Sequence, residues 1–416
     1  MECRVKDASL GGVGKKKIEW AETHMPVLGT IRERFLKEKP LEGVRIAMAL
    51  HVEPKTCVLA KTLRDGGAKV AITGCNPLTT QDDAAAALAE EKDIDVFCWR
   101  GETDAEYYEN LNLVLDIRPH ITIDDGCDLI KLVHTTRKDL LETIIGGCEE
   151  TTTGIKRLIA MEKEGVLNYP VMNVNDSQTK YLFDNRYGTG QSTLDGLFSA
   201  TNLLLAGKVF VVAGYGWCGR GIAMRAKGMG SSVVVTEIDP TKAVEAIMDG
   251  FRVMPMRDAA KIGDIFVTAT GNCDVITKSH IKSMKDGAML ANSGHFDNEI
   301  DKKFLEENKY CDIRPNVREY TLEGGRKVCL LADGRLVNLV AGQGHPAEVM
   351  DLSFANQALG AEYLVKNKDK LDAKVYEIPL GLDNGIAKLK LKTLGVDIDK
   401  LSKEQISYLS SWKEGT

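Results

Sequence analysis

The sequence predicts an α/β chain of two doubly wound parallel-sheet domains followed by a small helical C-terminal tail. Three observations carry this: short apolar runs alternate with amphipathic helical stretches, the alternation comes in two series, and the second series opens on a glycine-patterned turn. At 416 residues the chain also exceeds what one hydrophobic core organises. The first series runs through VRIAMAL, the helix around TCVLAKTLRDGG, AKVAITG, DVFCWR, the helix through YYENLNLVLDI, and HITIDDG. Such a βαβ rhythm implies parallel strands with helices on both faces. The second series begins at Lys208 and runs through SVVVTEID, FRVMPM, DIFVTATG and AMLANSG. Between the two, DGLFSATNLLLAG carries helical periodicity and predicts a connecting helix. Farther on, TLEGGRKVCLLADGR predicts a hairpin turning at Gly324 and Gly325, and the last stretch is charged and helical.

The stretch KVFVVAGYGWCGRG, from Lys208 to Gly221, joins an apolar strand to a turn and then to a helix. Gly214, Gly216 and Gly219 have the G-x-G-x-x-G spacing, which turns the chain tightly and brings backbone N–H groups and a helix N-terminus to a pyrophosphate. Glu237 closes the next strand, about 20 residues after the first glycine, where a carboxylate accepts hydrogen bonds from ribose hydroxyls and repels a 2′-phosphate. A dinucleotide site of the Rossmann type follows, with NAD favoured over NADP.

Bulk composition excludes several classes of function. The chain is 44% hydrophobic and 27% charged, with a net charge of −6 and no basic block, which argues against nucleic acid and membrane surfaces. A small-molecule partner is therefore expected. The start lacks a signal-peptide core and no apolar run is long enough to span a bilayer, so the expected location is cytoplasmic. Ten cysteines include no C-x-x-C pair and read as reduced core residues, with no metal site expected.

In open α/β sheets ligands sit beyond the carboxyl ends of the strands. His51, Asn76, Asp124 and Asp125 follow strands of the first series. Each alone reads as a cap or a loop hydrogen-bonding group; several on one sheet point to a site. In CEETTTG, Thr151 to Thr153 are placed to cap a helix with their hydroxyls. Lys180 and Asp184 stand at i, i+4, a spacing that on a surface is worth a few tenths of a kcal/mol at about 0.2–0.5. His295 follows a strand of the second series, and His345 lies in GQGHPAEVM.

The strings TGCNPLTTQDD, DDG, EETTTG, NVNDSQTK, FDNRYG, VVAGYGWCGRG, GHFDNEID, GRLVNL and GHP, in this order, resemble the S-adenosylhomocysteine hydrolase family along nearly the whole chain. The resemblance implies a substrate-binding domain over 1–180, completed by 347–387, an NAD-binding domain over 190–345, and an oligomerisation and cofactor-contacting tail over 388–416. It also implies a homotetramer and tightly held NAD in a reaction without net redox change. In that reaction the ribose 3′-hydroxyl is oxidised, the ketone acidifies the C4′ proton, the thioether leaves C5′, water adds, and the hydroxyl is restored.

Carried over by motif, Lys180 and Asp184 work at the 3′ side, with the lysine pKa lowered beside a cofactor cation so that it acts as a base. His295 lies near the same oxygen, and His51 with Asp125 serves C5′. Glu150 matches a ribose-hydroxyl ligand, and His345 and Met350 match residues that close over the substrate. Thr151, Thr152, Thr153, Asn185, Asn338 and Tyr408 match cofactor contacts. Three departures from the commonest pattern stand out. Thr189 replaces a cysteine, Glu404 stands where the tail has a lysine, and Glu53 and Lys55, next to Thr56, fall at the nucleobase. An ammonium at Lys55 cannot accept from an adenine amino group, whereas a 6-oxo purine offers an acceptor at O6 and a donor at N1. Adenine also fits if Lys55 donates to N1 and Glu53 accepts from the amino group; of the two nucleoside thioethers, S-inosylhomocysteine is favoured over S-adenosylhomocysteine. The alternatives are the adenosyl enzyme proper, an ordinary NAD-dependent dehydrogenase, and an inactive NAD-binding regulator. A salt bridge at the pocket rim is the plain reading of Glu53 and Lys55.

Overall fold

The computed structural model describes residues 3–413. The apolar runs of the first series become the strands Arg45–Ala49 (β2), Lys69–Thr73 (β3), Ile94–Cys98 (β4) and Ile121–Asp124 (β5), to which the fold adds Arg4–Val5 (β1), Gly146–Glu149 (β6) and Val171–Asn173 (β7), marked by no run. Those of the second become Val209–Ala213 (β8), Ser232–Thr236 (β9), Arg252–Val253 (β10), Ile265–Thr268 (β11) and Ala288–Asn292 (β12). The hairpin gives Val317–Thr321 (β14) and Lys327–Leu331 (β15), and Lys309–Arg314 (β13) and Val375–Glu377 (β16) are further strands the sequence did not mark. The first sheet has the order β1-β4-β3-β2-β5-β6-β7-β16 and is parallel throughout. The second has the order β10-β9-β8-β11-β12-β15-β14-β13, and only its last two pairings, β15 with β14 and β14 with β13, are antiparallel. In both, strand order reverses, between β2 and β5 and between β8 and β11. Those reversals open crevices beyond the strand ends, and they place the site.

Each sheet is covered on both faces by its own apolar clusters, as strands made of near-continuous apolar residues require. The long helix Ala347–Asn367 returns from the second unit and packs Leu352, Phe354, Ala355, Ala358 and Leu364 into the core of the first. The fold expected from the sequence is the fold observed, with local differences. The connecting helix, Thr189–Thr201, stops at Asn202 in the left-handed conformation (φ 54°), so LLLAG is not helical. The strand expected over FRVMPM shrinks to two residues, because Pro255 opens the next helix. The hairpin turns where expected, with Gly324 and Gly325 both at positive φ.

The tail expected to begin at 388 overlaps the helix Leu380–Thr393, whose Ile386 is buried and whose Lys390 pairs with buried Asp351 at 3.0 Å. Beyond it, the helix Lys403–Ser410 has no buried residue. Residues 1 and 2 of the expected first domain and 414–416 of the tail lie outside the described residues. Among the described residues no helix is long and apolar enough to cross a membrane.

Candidate active site

A cavity between the two sheets is lined by His51, Glu53, Thr56, Asp125, Glu150, Thr151, Lys180, Asp184, Asn185, His295, Asn338, His345 and Met350, residues named above from the sequence. Leu50, Leu336, Leu339 and Phe354 supply its apolar wall, and no local pattern marked them. A larger cleft of about 1160 Å³ lies next to it, lined by Trp20, Phe198 and Met229, but the titratable cluster is in the smaller cavity.

One group of side chains gathers at the first crevice. His51 follows β2 and Asp125 follows β5, neighbours because the sheet order places them so, with His51 Nε2 3.5 Å from Asp125 Oδ2. The Thr79 hydroxyl donates to the Asn76 carbonyl, so it accepts from His51 Nδ1–H at 2.8 Å and leaves Nε2 free to face the cavity. Burial lowers the His51 pKa to about 4 against the opposing pull of Asp125, which keeps the imidazole neutral. His295 crosses from the second unit, its Nδ1 3.6 Å from Asp125 Oδ1. Gly126 makes this approach possible: a Cβ there would lie 2.3 Å from His295 Nε2.

The second group surrounds Lys180, on the short helix Gln178–Tyr181. Asp383, from the helix Leu380–Thr393, caps that helix by accepting from Gln178 N at 2.8 Å and Thr179 N at 2.9 Å. Lys180 Nζ donates to Asn185 Oδ1 at 2.9 Å and to Asn175 Oδ1 at 3.3 Å, and lies 3.7 Å from Glu150 and 3.9 Å from Asp184. The i, i+4 pair is buried, contrary to the solvated pair that the spacing alone suggests. Burial acts to lower the Lys180 pKa, but Asp184, Glu150 and Asp125 together raise it above the ordinary value. The expected lowering therefore does not come from the protein; it requires an added cation. Burial acts to raise the Asp184 pKa, and Lys180, His345 at 2.8 Å and the Ser353 hydroxyl at 2.7 Å outweigh it, so the carboxylate is held ionised. Burial pushes Glu150 up to about 8 although Lys180 opposes it; Gln357 donates to its Oε2.

Glu149, which the sequence reading passed over, ties the two groups together. Its Oε1 accepts from Gly126 N at 2.8 Å and Thr151 N at 3.1 Å, so one buried carboxyl fixes both loops. The Thr151 hydroxyl makes no cap at the helix Thr152–Lys163, and this acid takes over that expected role. Gly154 leaves room for it, since a Cβ there would sit 2.1 Å from the Glu149 carboxyl carbon. Thr152 donates to Asn175 Oδ1 at 3.2 Å, and Thr153 faces Gly271 and Phe296 in a separate pocket.

At the third side, Pro54 opens the helix Pro54–Asp65 and holds Glu53 extended. Glu53 and Lys55 are buried and joined at 2.5 Å, and Lys55 also donates to the Gln343 carbonyl at 3.0 Å. The salt bridge of the plain reading is formed, and it is buried. Glu53 lines the cavity and Lys55 the adjoining larger cleft, so the joined pair stands where the two meet.

The dinucleotide cradle is formed as the spacing demands. Gly214 has φ +97°, and a Cβ on Gly219 would lie 1.9 Å from the Gly214 carbonyl oxygen. Gly216 caps the helix Trp217–Gly228 without a side-chain bond, leaving its first N–H groups for an anion. Glu237 accepts from the backbone of Tyr215, Ile238 and Asp239, with no cationic partner among the described residues. Asn338 Oδ1, buried in the cavity wall, has no hydrogen-bond partner among the described residues. This acceptor, the glycine cradle and Glu237 fit NAD. Thr189 donates to the Cys218 sulfur at 3.6 Å, and Tyr408 is exposed on the tail.

Comparison with known proteins agrees with this geometry. Residues 2–142 match the family model for S-adenosyl-L-homocysteine hydrolase, and residues 185–344 match the model for its NAD binding domain. The S-inosyl-L-homocysteine hydrolase of Methanocaldococcus jannaschii is 64% identical over 99% of both chains, and that of Methanococcus maripaludis 60% identical over 99% of both. The adenosylhomocysteinase of Saccharolobus solfataricus is 59% identical over 100% of both chains. The two matched models, the full-length relatives and the doubly wound pair of sheets around a shared cavity place this chain in the S-adenosyl-L-homocysteine hydrolase family.

Proposed function

We propose that this chain catalyses reversible hydrolysis of S-inosyl-L-homocysteine to inosine and L-homocysteine, using NAD as its catalytic cofactor. The buried Lys55–Glu53 pair carries the choice of purine. Overall identity does not decide it, since relatives of both names lie within a few percent of each other. A 6-oxo purine presents N1–H to the Glu53 carboxylate and O6 to a Lys55 N–H, which satisfies both partners; a 6-amino purine satisfies them only with the pair exchanged, Lys55 at N1 and Glu53 at the amino group, so the placement of the two side chains makes the choice.

NAD, held by the turn from Gly214 to Gly219, Glu237, Asn338 and the Thr151–Thr153 loop, supplies reversible oxidation at the ribose 3′ carbon when bound. Lys180 takes and returns the hydroxyl proton there, held in place by Asn175, Asn185 and Asp184. Glu150, raised toward neutrality, binds a ribose hydroxyl as donor or acceptor. The proton removed from C4′ loads His51 Nε2, which delivers it to the departing thiolate. The imidazole, returned to the neutral form that burial favours, then takes a proton from the attacking water and gives it back to C4′. Asp125 orients the ring, and His295, 3.6 Å from Asp125, stands on the cofactor side near the 3′ oxygen. Met350 and His345 wall off the cavity and exclude water until the thioether bond has broken.

The test is to incubate the holoenzyme with S-inosyl-L-homocysteine and follow thiol and NADH together. Free homocysteine thiol should accumulate with no net NADH. Steady NADH accumulation would instead identify a dehydrogenase, and neither signal would identify a regulator.

The assembly belongs to the same reading. Ile398, Leu401, Ile406, Leu409 and Trp412 are exposed on a tail without buried residues, as suits a segment that packs on a second copy in a homotetramer. Ending the chain after Thr393, which spares the packed helix, should lower both assembly and NAD retention, measured by light scattering and by cofactor release. A shortened chain with both unchanged would remove the tail from the cofactor site. The ten cysteines, all free thiols, suit a cytoplasmic enzyme.

A further inference from the structure

Three strand ends at the first crevice bring together a nitrogen, a sulfur and an oxygen. Cys75 follows β3, His51 follows β2 and Asp125 follows β5; one ligand atom from each lies within 4.8 Å of the other two. His51 Nε2 is 3.5 Å and Cys75 Sγ 3.8 Å from the same oxygen, Asp125 Oδ2. In a tetrahedral zinc site, bonds of about 2.0 Å to nitrogen and oxygen and about 2.3 Å to sulfur put neighbouring ligand atoms about 3.3–3.6 Å apart. The two spacings to Asp125 are within a few tenths of an ångström of that, and the His51 and Cys75 ligand atoms lie within 4.8 Å of each other.

The outer contacts are those of a metal site as well. His51 Nδ1–H is committed to Thr79, which aims the Nε2 lone pair at the cluster. Asp125 Oδ1 faces His295 Nδ1 at 3.6 Å, leaving Oδ2 to the cluster. Cys75 is buried, its thiol hydrogen directed to Asp125 Oδ2. The open side of the triad is the cavity itself, since His51 and Asp125 both line it.

We propose that His51, Cys75 and Asp125 bind a thiophilic divalent cation, Zn²⁺ first, in a three-ligand site with its fourth position open to the cavity. Binding exchanges the Cys75 S–H proton, released to solvent, for a sulfur–metal bond, and nothing is oxidised or reduced. The cation occupies the His51 lone pair and the Asp125 carboxylate, the groups the C5′ chemistry needs, so it inhibits. A thiolate is a good fourth ligand for zinc, so homocysteine tightens the inhibition. The inhibitory consequence rests on the hydrolase reading; the binding does not. The ten cysteines show no metal spacing in the sequence because the three ligands come from separate strands.

Chelator-treated holoenzyme titrated with Co²⁺ alone is the spectroscopic probe. One equivalent should give tetrahedral d–d absorption and a thiolate-to-cobalt charge-transfer band, both bleached by Zn²⁺, and thiol release should fall along the same Zn²⁺ curve. Cys75→Ser and Cys75→Ala should each abolish the charge-transfer band and weaken zinc affinity by about a hundredfold or more, as loss of a ligand costs no less than loss of its outer-shell support. Cys127→Ser, at a neighbouring buried thiol, should keep the band and the affinity. Absence of the band in the wild type, or its survival in both Cys75 variants, overturns the site. Cobalt binding with no effect on thiol release overturns the inhibitory role and leaves the binding site standing.

Discussion

Replacing Lys180 with alanine should abolish reduction of bound NAD by the nucleoside thioether, whereas replacing His51 should leave that reduction intact and slow release of the thiol. The expectation follows from two separate groups of side chains in one cavity. Lys180 sits among Asn175, Asn185, Glu150 and Asp184, and His51 sits among Thr79, Cys75 and Asp125. A positioned base or acid contributes about 10²- to 10⁴-fold, so each single replacement should cost its own half-reaction by that order. The readouts are the single-turnover absorbance of NADH and the rate of free thiol. Removing Lys180 leaves Asp184 and Glu150 buried without their cation, a change costing about 3–5 kcal/mol when one partner of a buried pair is lost. Retention of NAD by the purified variant therefore has to be measured first; a variant that keeps NAD isolates the chemistry. With His51 neutral above a pKa of about 4, its protonation should not depress kcat/KM between pH 5 and 8. If both variants reduced NAD at the wild-type rate, the assignment of the two groups would be wrong.

The second large effect concerns the base. Wild-type kcat/KM should favour the inosyl over the adenosyl thioether, and Lys55→Gln should lower that ratio by about 10²-fold or more, in the range found where a buried polar group is left unpaired. Glutamine retains a donor and adds an acceptor, so it tolerates the 6-amino group, and it removes the cation that holds Glu53. Burial raises the Glu53 pKa and Lys55 lowers it, so without Lys55 the Glu53 carboxyl moves toward its neutral form and no longer prefers N1–H as a partner. Wild-type preference for the adenosyl substrate, or a ratio unmoved by Lys55→Gln, would refute the assignment. Because the same assay reports thiol from either substrate, it separates a wrong purine from a wrong reaction.

The sequence by itself determined what depends on neighbours along the chain. The βαβ rhythm, the hairpin at Gly324 and Gly325, and the glycine turn before Trp217 follow from apolar period and from backbone conformations that only some residues adopt. For the same reason His51, Asp125 and Glu237 were legible as strand-end residues. What the tertiary structure decided is which strand ends meet and what surrounds them. The reversal of order between β2 and β5 sets His51 beside Asp125 and draws in Cys75. Asp383 caps the Lys180 helix from the far end of the chain, and Glu149 replaces the threonine caps that local spacing suggested. Lys180 and Asp184, and Lys55 and Glu53, have spacings that also occur on wet surfaces; only their burial turns them into a charged pair at the ribose and a polar pair at the base. A spacing fixes which side chains share a turn of backbone, but the dielectric around them and the third partner that shifts a proton are set by segments packed from elsewhere in the chain.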